Sequence, residues 1–148
     1  MPALTIGKLA KAAQVKVPTI RFYEQIGLLP PAERSESDRR LYDDASVRRL
    51  SFIRHARQLG FSVEAIRVLL ALTDEPDRPC EEANALAAEQ LADVEAKIVR
   101  LQALRGELQR MATTNCHGRA GDCRVIEMLS DHALCAHEHE RPITLADV

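Results

Sequence analysis

A long stretch without proline dominates the second half of this 148-residue chain. No proline occurs between Cys80 and Thr114, and Gly106 is the only glycine there. Apolar residues recur at the three- and four-residue spacing of one helix face: Leu91, Val94, Ile98 and Leu101, continued with a shift of phase by Leu104, Leu108 and Met111. At about 1.5 Å per residue, this stretch predicts a helix of roughly 50 Å. A single helix cannot bury such a stripe, so we expect a partner chain.

The first 30 residues predict two short helices joined by a tight turn. Thr5 is a suitable N-cap for a helix over residues 6–13, and residues 14–16 form the turn. Pro18 suits the first turn of the second helix, and Gly27 suits the position just after its end. Two short helices with a three-residue turn predict a helix-turn-helix.

A polar hairpin and two further helices are predicted next. Short strands around residues 33–34 and 40–42 would flank a tip at residues 35–38, forming a wing. Asp43 or Asp44 would cap a third helix that ends at Gly60, and Ser62 would cap a fourth over residues 63–72. The fold class is therefore all-α dominated, with a winged helix-turn-helix head.

Charge divides the chain into two dissimilar halves. Residues 1–72 hold 12 Lys and Arg against 7 Asp and Glu, whereas residues 73–148 hold 8 against 15. The formal net charge of -2 hides this asymmetry. A basic half joined to an acidic half indicates a head that binds a polyanion and a separate sensing or dimerising part.

The cysteines lie in the acidic half, at positions 80, 116, 123 and 135. We expect a cytoplasmic protein, because no run of apolar residues is long enough for a membrane span or a signal peptide. Thiols in the cytoplasm stay reduced, so grouped cysteines there favour metal or redox chemistry over structural disulfides. Cys116 and Cys123 form a C-x6-C pair with two intervening glycines, which fits either a metal loop or a redox pair.

Enzymatic function finds little support. The sequence contains no Gly-rich phosphate loop, no H-E-x-x-H motif and no Ser-His-Asp pattern. The long rod also leaves little room for a pocket. We therefore predict that the chain is not an enzyme.

Several short motifs follow one another over the first 70 residues: Ile6-Gly7-Lys8-Leu9-Ala10, Thr19-Ile20-Arg21-Phe22-Tyr23-Glu24, Ile26-Gly27-Leu28-Leu29, Arg40-Leu41-Tyr42 and Leu59-Gly60-Phe61-Ser62. In sequence and in order they resemble the motifs of the MerR transcription regulators. The rod and cysteine loop extend the resemblance to about residue 130. One departure occurs in the wing, where Asp38-Arg39 replaces the usual Gly-aromatic pair.

The predicted DNA contacts come from the second helix and the wing. The N-terminus of the second helix offers N–H groups and cations to phosphates and bases. The resemblance also implies that Arg21 and Tyr23 act as phosphate clamps. The predicted DNA-binding residues are Lys16, Thr19, Arg21, Tyr23, Arg39, Arg40 and Tyr42. The implied partners are double-stranded promoter DNA and RNA polymerase, with a homodimer as the binding unit.

The predicted metal ligands are Cys80, Cys116 and Cys123. One continuous helix would hold Cys80 and Cys116 roughly 50 Å apart. They can share an ion only if two rods run antiparallel, which is the arrangement that the resemblance implies. Two thiolates suit linear Cu(I), whereas a third suits a divalent ion. In the resembled family a cysteine at position 80 is typical of sensors for zinc, cadmium, lead and mercury. The effector is thus predicted to be Cd(II), Pb(II) or Zn(II), with Hg(II) also considered; the alternative is a Cu(I) or redox switch.

The predicted organisation places the DNA-binding head at 1–72, a linker at 73–79 and the dimerisation helix at 80–114. A metal-binding loop and short helix, Val125 to His132, occupy 115–133, and a tail that we expect to be disordered follows at 134–148. A second cluster in this part of the chain is a candidate accessory metal site: His117, Cys135, His137 and His139.

Overall fold

The computed structural model describes residues 3–34, 36, 40–113, 118–131 and 133. Most of these residues are helical. The chain divides into two compact units, Met1–Ala87 and Ala88–Val148. The boundary lies within the long helix of residues 81–113, and the end of the DNA-binding head at residue 72 stays a prediction from the sequence. The predicted all-α dominated architecture is confirmed.

The helix-turn-helix lies at the start of the first unit. Helix α1 spans Ile6–Ala13, and the Thr5 hydroxyl accepts a hydrogen bond from the Lys8 N–H at 3.4 Å. Gln14 adopts a left-handed conformation and turns the chain into α2, Val17–Gln25. Pro18 lies in the first turn of α2, and Gly27 follows it with φ +80°, a value that favours glycine. These local features agree with those predicted.

The wing is a two-stranded antiparallel ribbon. Strand β1, Glu33–Arg34, pairs with β2, Arg40–Leu41. The predicted second strand included Tyr42, but Tyr42 instead pairs with Leu4 in an isolated bridge with N–O distances of 2.7 and 2.8 Å. The N-terminal segment passes beside the end of the ribbon and pairs with Tyr42 there. Most of the predicted tip, including Asp38, lies outside the described residues, and so does Arg39.

Two capped helices complete the first unit. Helix α3 spans Asp44–Gln58, with the Asp43 carboxylate accepting from the Ser46 N–H at 3.0 Å. Helix α4 spans Val63–Asp74, with the Ser62 hydroxyl accepting from the Ala65 N–H at 3.1 Å. The predicted end of α4 at residue 72 was two residues short. The helix can continue because the next proline is Pro76, and in its last turn the Thr73 hydroxyl donates to the Leu70 carbonyl at 2.7 Å.

Helices α1, α2, α3 and α4 all contribute to one hydrophobic core. Its largest fully buried side chains are Leu9, Ile20, Leu28, Leu29, Leu50, Ile53 and Ile66. The core includes residues from α2, so one side of the second helix is committed to packing. Only the opposite side of α2 is available to a ligand.

Helix α5 is a single continuous element, Glu81–Thr113, of 33 residues. Its predicted stripe is exposed within this chain, with Leu91 58 % and Leu101 42 % exposed. Met111 differs from the prediction, because it is buried within its own chain, as is Glu107 one turn earlier. The apolar surface that α5 leaves uncovered therefore excludes Met111.

A short 3-10 turn and a last helix lie in the second unit. The turn spans Ala120–Asp122, and α6 spans Arg124–Ser130. The predicted helix began one residue later and ended two residues later, but the chain becomes extended at Asp131. Met128 is buried, whereas Ile126 and Leu129 are exposed. None of the helices in the described ranges is long and apolar enough to span a bilayer.

Candidate functional site

The exposed side of α2 carries a cation, a polar side chain and two apolar side chains. Exposed residues on α2 recur at helical spacing: Pro18, Arg21, Phe22 and Gln25. Lys16 is exposed at the N-cap position, and Thr19 is half-buried. The first turn of a helix leaves N–H groups without intrahelical partners, and these suit phosphate oxygens. Lys16, Thr19 and Arg21 therefore lie where the sequence placed them, on or beside the accessible part of the second helix.

Two adjacent aromatic residues of α2 have opposite environments. Tyr23 is 8 % exposed and belongs to the core, whereas Phe22 is 48 % exposed. Their ring centroids lie 5.9 Å apart. Sequence reasoning selected Tyr23 as a contact and passed over Phe22. The positions of Ile20 and Tyr23, three residues apart, were the signal that Tyr23 shares the buried side of the helix.

Tyr42 is also a core residue, at 3 % exposure. Its hydroxyl donates a hydrogen bond to the Glu24 carboxylate on α2. This bond ties the wing to α2, and the predicted contact of Tyr42 with DNA stays a prediction from the sequence.

Two arginines from other helices hold the segment that follows α2. The Arg49 Nε donates to the Leu28 carbonyl at 2.7 Å, and the Arg67 guanidinium donates to the Ile26 carbonyl at 2.8 Å. Both carbonyls lie just beyond the end of α2, where intrahelical donors are missing. These arginines belong to the basic half of the sequence, yet they position α2 rather than extend its binding surface.

In the wing, the structure describes the main-chain pairing of the strands at Arg40. Arg40 pairs with Arg34 across the ribbon, and the structure describes only the main chain of Arg40. Arg39 lies outside the described residues. The predicted wing cations thus remain predictions from the sequence.

Cys80 lies immediately before α5. It is an exposed free thiol, and its carbonyl accepts the first helical hydrogen bond, from the Asn84 N–H at 3.0 Å. The Asn84 side-chain Nδ2 also donates to the Cys80 Sγ at 3.7 Å. Asn84 was not selected from the sequence. Its position four residues after Cys80, one helical turn away, could have indicated a side-chain amide that donates to the thiol.

Cys123 lies between the 3-10 turn and α6. Cys123 is half-buried, its N–H donates to the Ala120 carbonyl at 3.1 Å, and its carbonyl accepts from the Glu127 N–H at 3.0 Å. The two helical elements therefore hold its main chain on both sides. Within the described ranges, no group of three His, Cys, Asp or Glu side chains lies close enough to hold a metal. The remaining predicted ligands lie outside those ranges: Cys116, His117, Cys135, His137 and His139.

The thiols of Cys80 and Cys123 fit a soft or borderline metal ion in their chemistry, because thiolates are its preferred ligands. Neither thiol is consumed in a disulfide. Together with the helix-turn-helix and its basic exposed helix, these features define the class: a DNA-binding regulator with thiols that flank a long helix.

Comparison with known proteins agrees with this class. Residues 4–73 match the family model described as MerR HTH family regulatory protein, and residues 47–111 match the one described as MerR, DNA binding. The HTH-type transcriptional regulator ZntR of Escherichia coli strain K12 is 42% identical over 132 residues, which are 86% of this chain and 93% of that protein. Heavy metal-dependent transcription regulator 2 of Rhizobium meliloti is 43% identical over 129 residues, 86% and 87% of the two chains.

A solved structure is similar along nearly its whole length. The transcription regulator PbrR691 from Ralstonia metallidurans CH34, in complex with lead(II), superposes with a TM-score of 0.75 at 40% identity. The match covers 85% of this chain and 98% of that one. The chain therefore belongs to the MerR family of helix-turn-helix transcription regulators. The prediction of a regulator rather than an enzyme is confirmed.

Proposed function

We propose that this protein is a metal-responsive transcription regulator that binds promoter DNA as a homodimer and is switched by a divalent thiophilic ion. The observation that carries the proposal is the unbroken helix α5, with Cys80 before its start, the cysteine loop after its end and an exposed apolar stripe between. The heavy metal-dependent relative and the lead(II) complex support the metal response.

The exposed side of α2 supports DNA binding. Arg21 supplies a cation, and Phe22 beside it supplies an apolar surface for a sugar or a thymine methyl group. Arg49 and Arg67 hold the end of α2 against α3 and α4 through backbone carbonyls. A recognition helix fixed in this way presents its contacts at low conformational cost.

The stripe of α5 supports a homodimer. Its members are exposed in the isolated chain at consistent three- and four-residue spacing: Leu91, Val94, Ile98 and Leu101. Covering such a stripe stabilises association by roughly 25 cal/mol per Å² of apolar surface removed from water. A second copy of the same helix, running antiparallel, places apolar residues opposite apolar residues.

The proposed metal site combines Cys116 and Cys123 of one chain with Cys80 of the partner subunit. A helix of 33 residues is about 50 Å long, so one chain cannot bring its own Cys80 to its own loop while α5 stays continuous. An antiparallel pair removes this obstacle. Three thiolates favour a divalent ion, and we propose Cd(II), Pb(II) or Zn(II), with Hg(II) as a further candidate.

Coupling between the loop and the heads would transmit the signal. A loop closed around an ion on the partner's α5 favours one arrangement of the two heads over another. The heads then distort the promoter between them, which lets RNA polymerase engage. Bending or untwisting a short site costs on the order of 1–6 kcal/mol, so the ion must bind one arrangement of the heads more tightly than the other by a comparable free energy.

A test of the intersubunit site mixes two inactive chains. One carries Cys80→Ser and the other carries Cys116→Ser with Cys123→Ser. The heterodimer should regain one complete three-thiolate site, which Cd(II) reports through its thiolate-to-metal charge-transfer absorbance, while neither homodimer should show it. A Cys80→Ser homodimer with the full wild-type signal would overturn the assignment of Cys80.

A second candidate function keeps the same DNA-binding head but uses the cysteines as a Cu(I) or redox switch. The Cys80 thiol is exposed and free, which favours this second candidate because exposed thiols are open to oxidation. A promoter–reporter assay over a panel of metal salts, Cu(I) and an oxidant separates the two. Induction by Cd(II), Pb(II) or Zn(II) supports the primary proposal, whereas induction by copper or oxidant alone supports the second.

A further inference from the structure

The thiol of Cys80 has a specific polar neighbour. The Nδ2 of Asn84 donates to the Cys80 Sγ at 3.7 Å, within the range for a hydrogen bond to sulfur. The Asn84 N–H donates to the Cys80 carbonyl at 3.0 Å. One residue therefore binds both the main chain and the side chain of the candidate ligand.

The backbone around Cys80 is held on both sides. Arg78 contacts the Glu75 carboxylate at 3.1 Å and the Glu82 carboxylate at 2.8 Å. Its N–H also donates to the Glu75 carbonyl at 3.0 Å. Exposed ion pairs of this kind contribute little to stability. Here they link the segment before Cys80 to the first turn of α5. The backbone at Cys80, and with it the position of the Cys80 Cβ, is therefore held in place.

Asparagine is an unusual choice at position 84. It is a weaker helix former than Ala, Leu, Glu or Gln, because its side chain competes for backbone hydrogen bonds. Residues of those better types surround it, and it is the only asparagine between residues 81 and 113. Its side chain is exposed, so core packing does not require it. Among the residues that the structure describes, the hydrogen-bond partner of its side chain is the sulfur of Cys80.

We propose that Asn84 is a positioning residue for the metal site, orienting the Cys80 thiolate toward the loop of the partner subunit. The inference rests on the proposed function of Cys80 as a ligand. A donor to a ligating sulfur restricts the side chain to one orientation and leaves the remaining lone pairs for the ion. Partners of metal ligands commonly control affinity in this way, and removing one costs about 10–100-fold in metal binding.

The test compares variants of the full-length dimer with Cd(II) as the probe. Asn84→Ala should keep the three-thiolate absorbance at saturating Cd(II) but bind it at least about tenfold more weakly in a competition titration. Asn84→Ser, whose hydroxyl can still donate, should recover part of the affinity. Alanine is the better helix former, so neither loss of folding nor loss of the dimer is expected; sedimentation checks this.

A matched control moves the amide instead of deleting it. Combining Asn84→Ala with Ala85→Asn conserves composition but turns the donor about 100° around the helix. It should bind Cd(II) as weakly as Asn84→Ala alone. Wild-type affinity in this double variant would overturn the positioning role.

Two further outcomes distinguish a failure of the Asn84 role from a failure of the proposed metal site. If Cys80→Ser loses one thiolate signal while Asn84→Ala binds Cd(II) within about threefold of wild type, Asn84 has no positioning role and Cys80 remains a ligand. If Cys80→Ser retains every thiolate signal, the proposed site itself fails. Tighter Cd(II) binding by Asn84→Asp, which has no N–H to donate, would identify position 84 as a direct oxygen ligand and overturn the positioning role.

Discussion

The Tyr42 hydroxyl donates a hydrogen bond to the Glu24 carboxylate, joining the end of the wing to the second helix of the helix-turn-helix. Tyr42 is also paired with Leu4 through two main-chain hydrogen bonds. The N-terminal segment, the wing and α2 therefore meet at one buried side chain. The orientation of the wing relative to α2 depends on this junction.

Removing the Tyr42 hydroxyl should weaken the junction. Tyr42→Phe keeps the ring in the core but leaves the part-buried Glu24 carboxylate without this donor. Hydrogen bonds to charged groups contribute about 1.5–3 kcal/mol, so we expect the free energy of unfolding to fall by roughly that amount. Urea denaturation measures it. A change of less than about 0.5 kcal/mol, the range of ordinary surface substitutions, would show that the bond is not stabilising.

Replacing Arg21 should weaken DNA binding in a salt-dependent manner. Arg21 is exposed on α2, and loss of one phosphate contact lowers the slope of log K against log salt by about 0.9. Arg119→Ala, which removes an exposed cation just before the 3-10 turn, is the control and should leave the slope unchanged. Fluorescence anisotropy on promoter DNA at several salt concentrations measures both. Equal slopes for Arg21→Ala and wild type would remove Arg21 from the interface.

A charge on the stripe of α5 should separate the dimer. Leu91→Asp or Leu101→Asp would bury an unpaired carboxylate in an apolar interface, at a cost of several kcal/mol. Ala96→Asp introduces the same charge at an exposed position away from the stripe and serves as the control. Analytical ultracentrifugation should find monomers for the first two variants and dimers for the third. Normal dimers for both leucine variants would contradict the antiparallel helix pair.

Stability should decrease in acid through the cap of α3. The Ser46 N–H donates to the Asp43 carboxylate, and this hydrogen bond holds the pKa of Asp43 below its usual value. A lowered pKa means that the folded state prefers the ionised form, so the stabilisation is full above the unfolded pKa and is lost as pH falls through the folded pKa. Asp43→Asn keeps a capping oxygen but does not titrate. Its unfolding midpoint should depend less on pH below about 4 than that of wild type, and parallel profiles would contradict this.

Local features of the fold could be predicted from the sequence. Thr5, Asp43 and Ser62 each cap a helix through a donor three residues away. Gly27 and Gly60 adopt positive φ values just after helices. The continuity of α5 follows from the missing prolines. In each case the interacting groups lie within about four residues of one another, so neighbouring residues alone determine the geometry.

Other features depended on contacts between distant residues. Phe22 and Tyr23 are adjacent aromatics, and the core that α2 shares with α1, α3 and α4 buries Tyr23 and leaves Phe22 exposed. Arg49 and Arg67 reach backbone carbonyls 21 and 41 residues earlier in the chain, so their positioning role is invisible in a count of charges. Met111 followed the helical stripe by spacing but is buried in its own chain. Spacing along one helix defines which residues share a side, whereas the elements packed against it determine which side becomes core and which stays open to DNA, metal or a second copy.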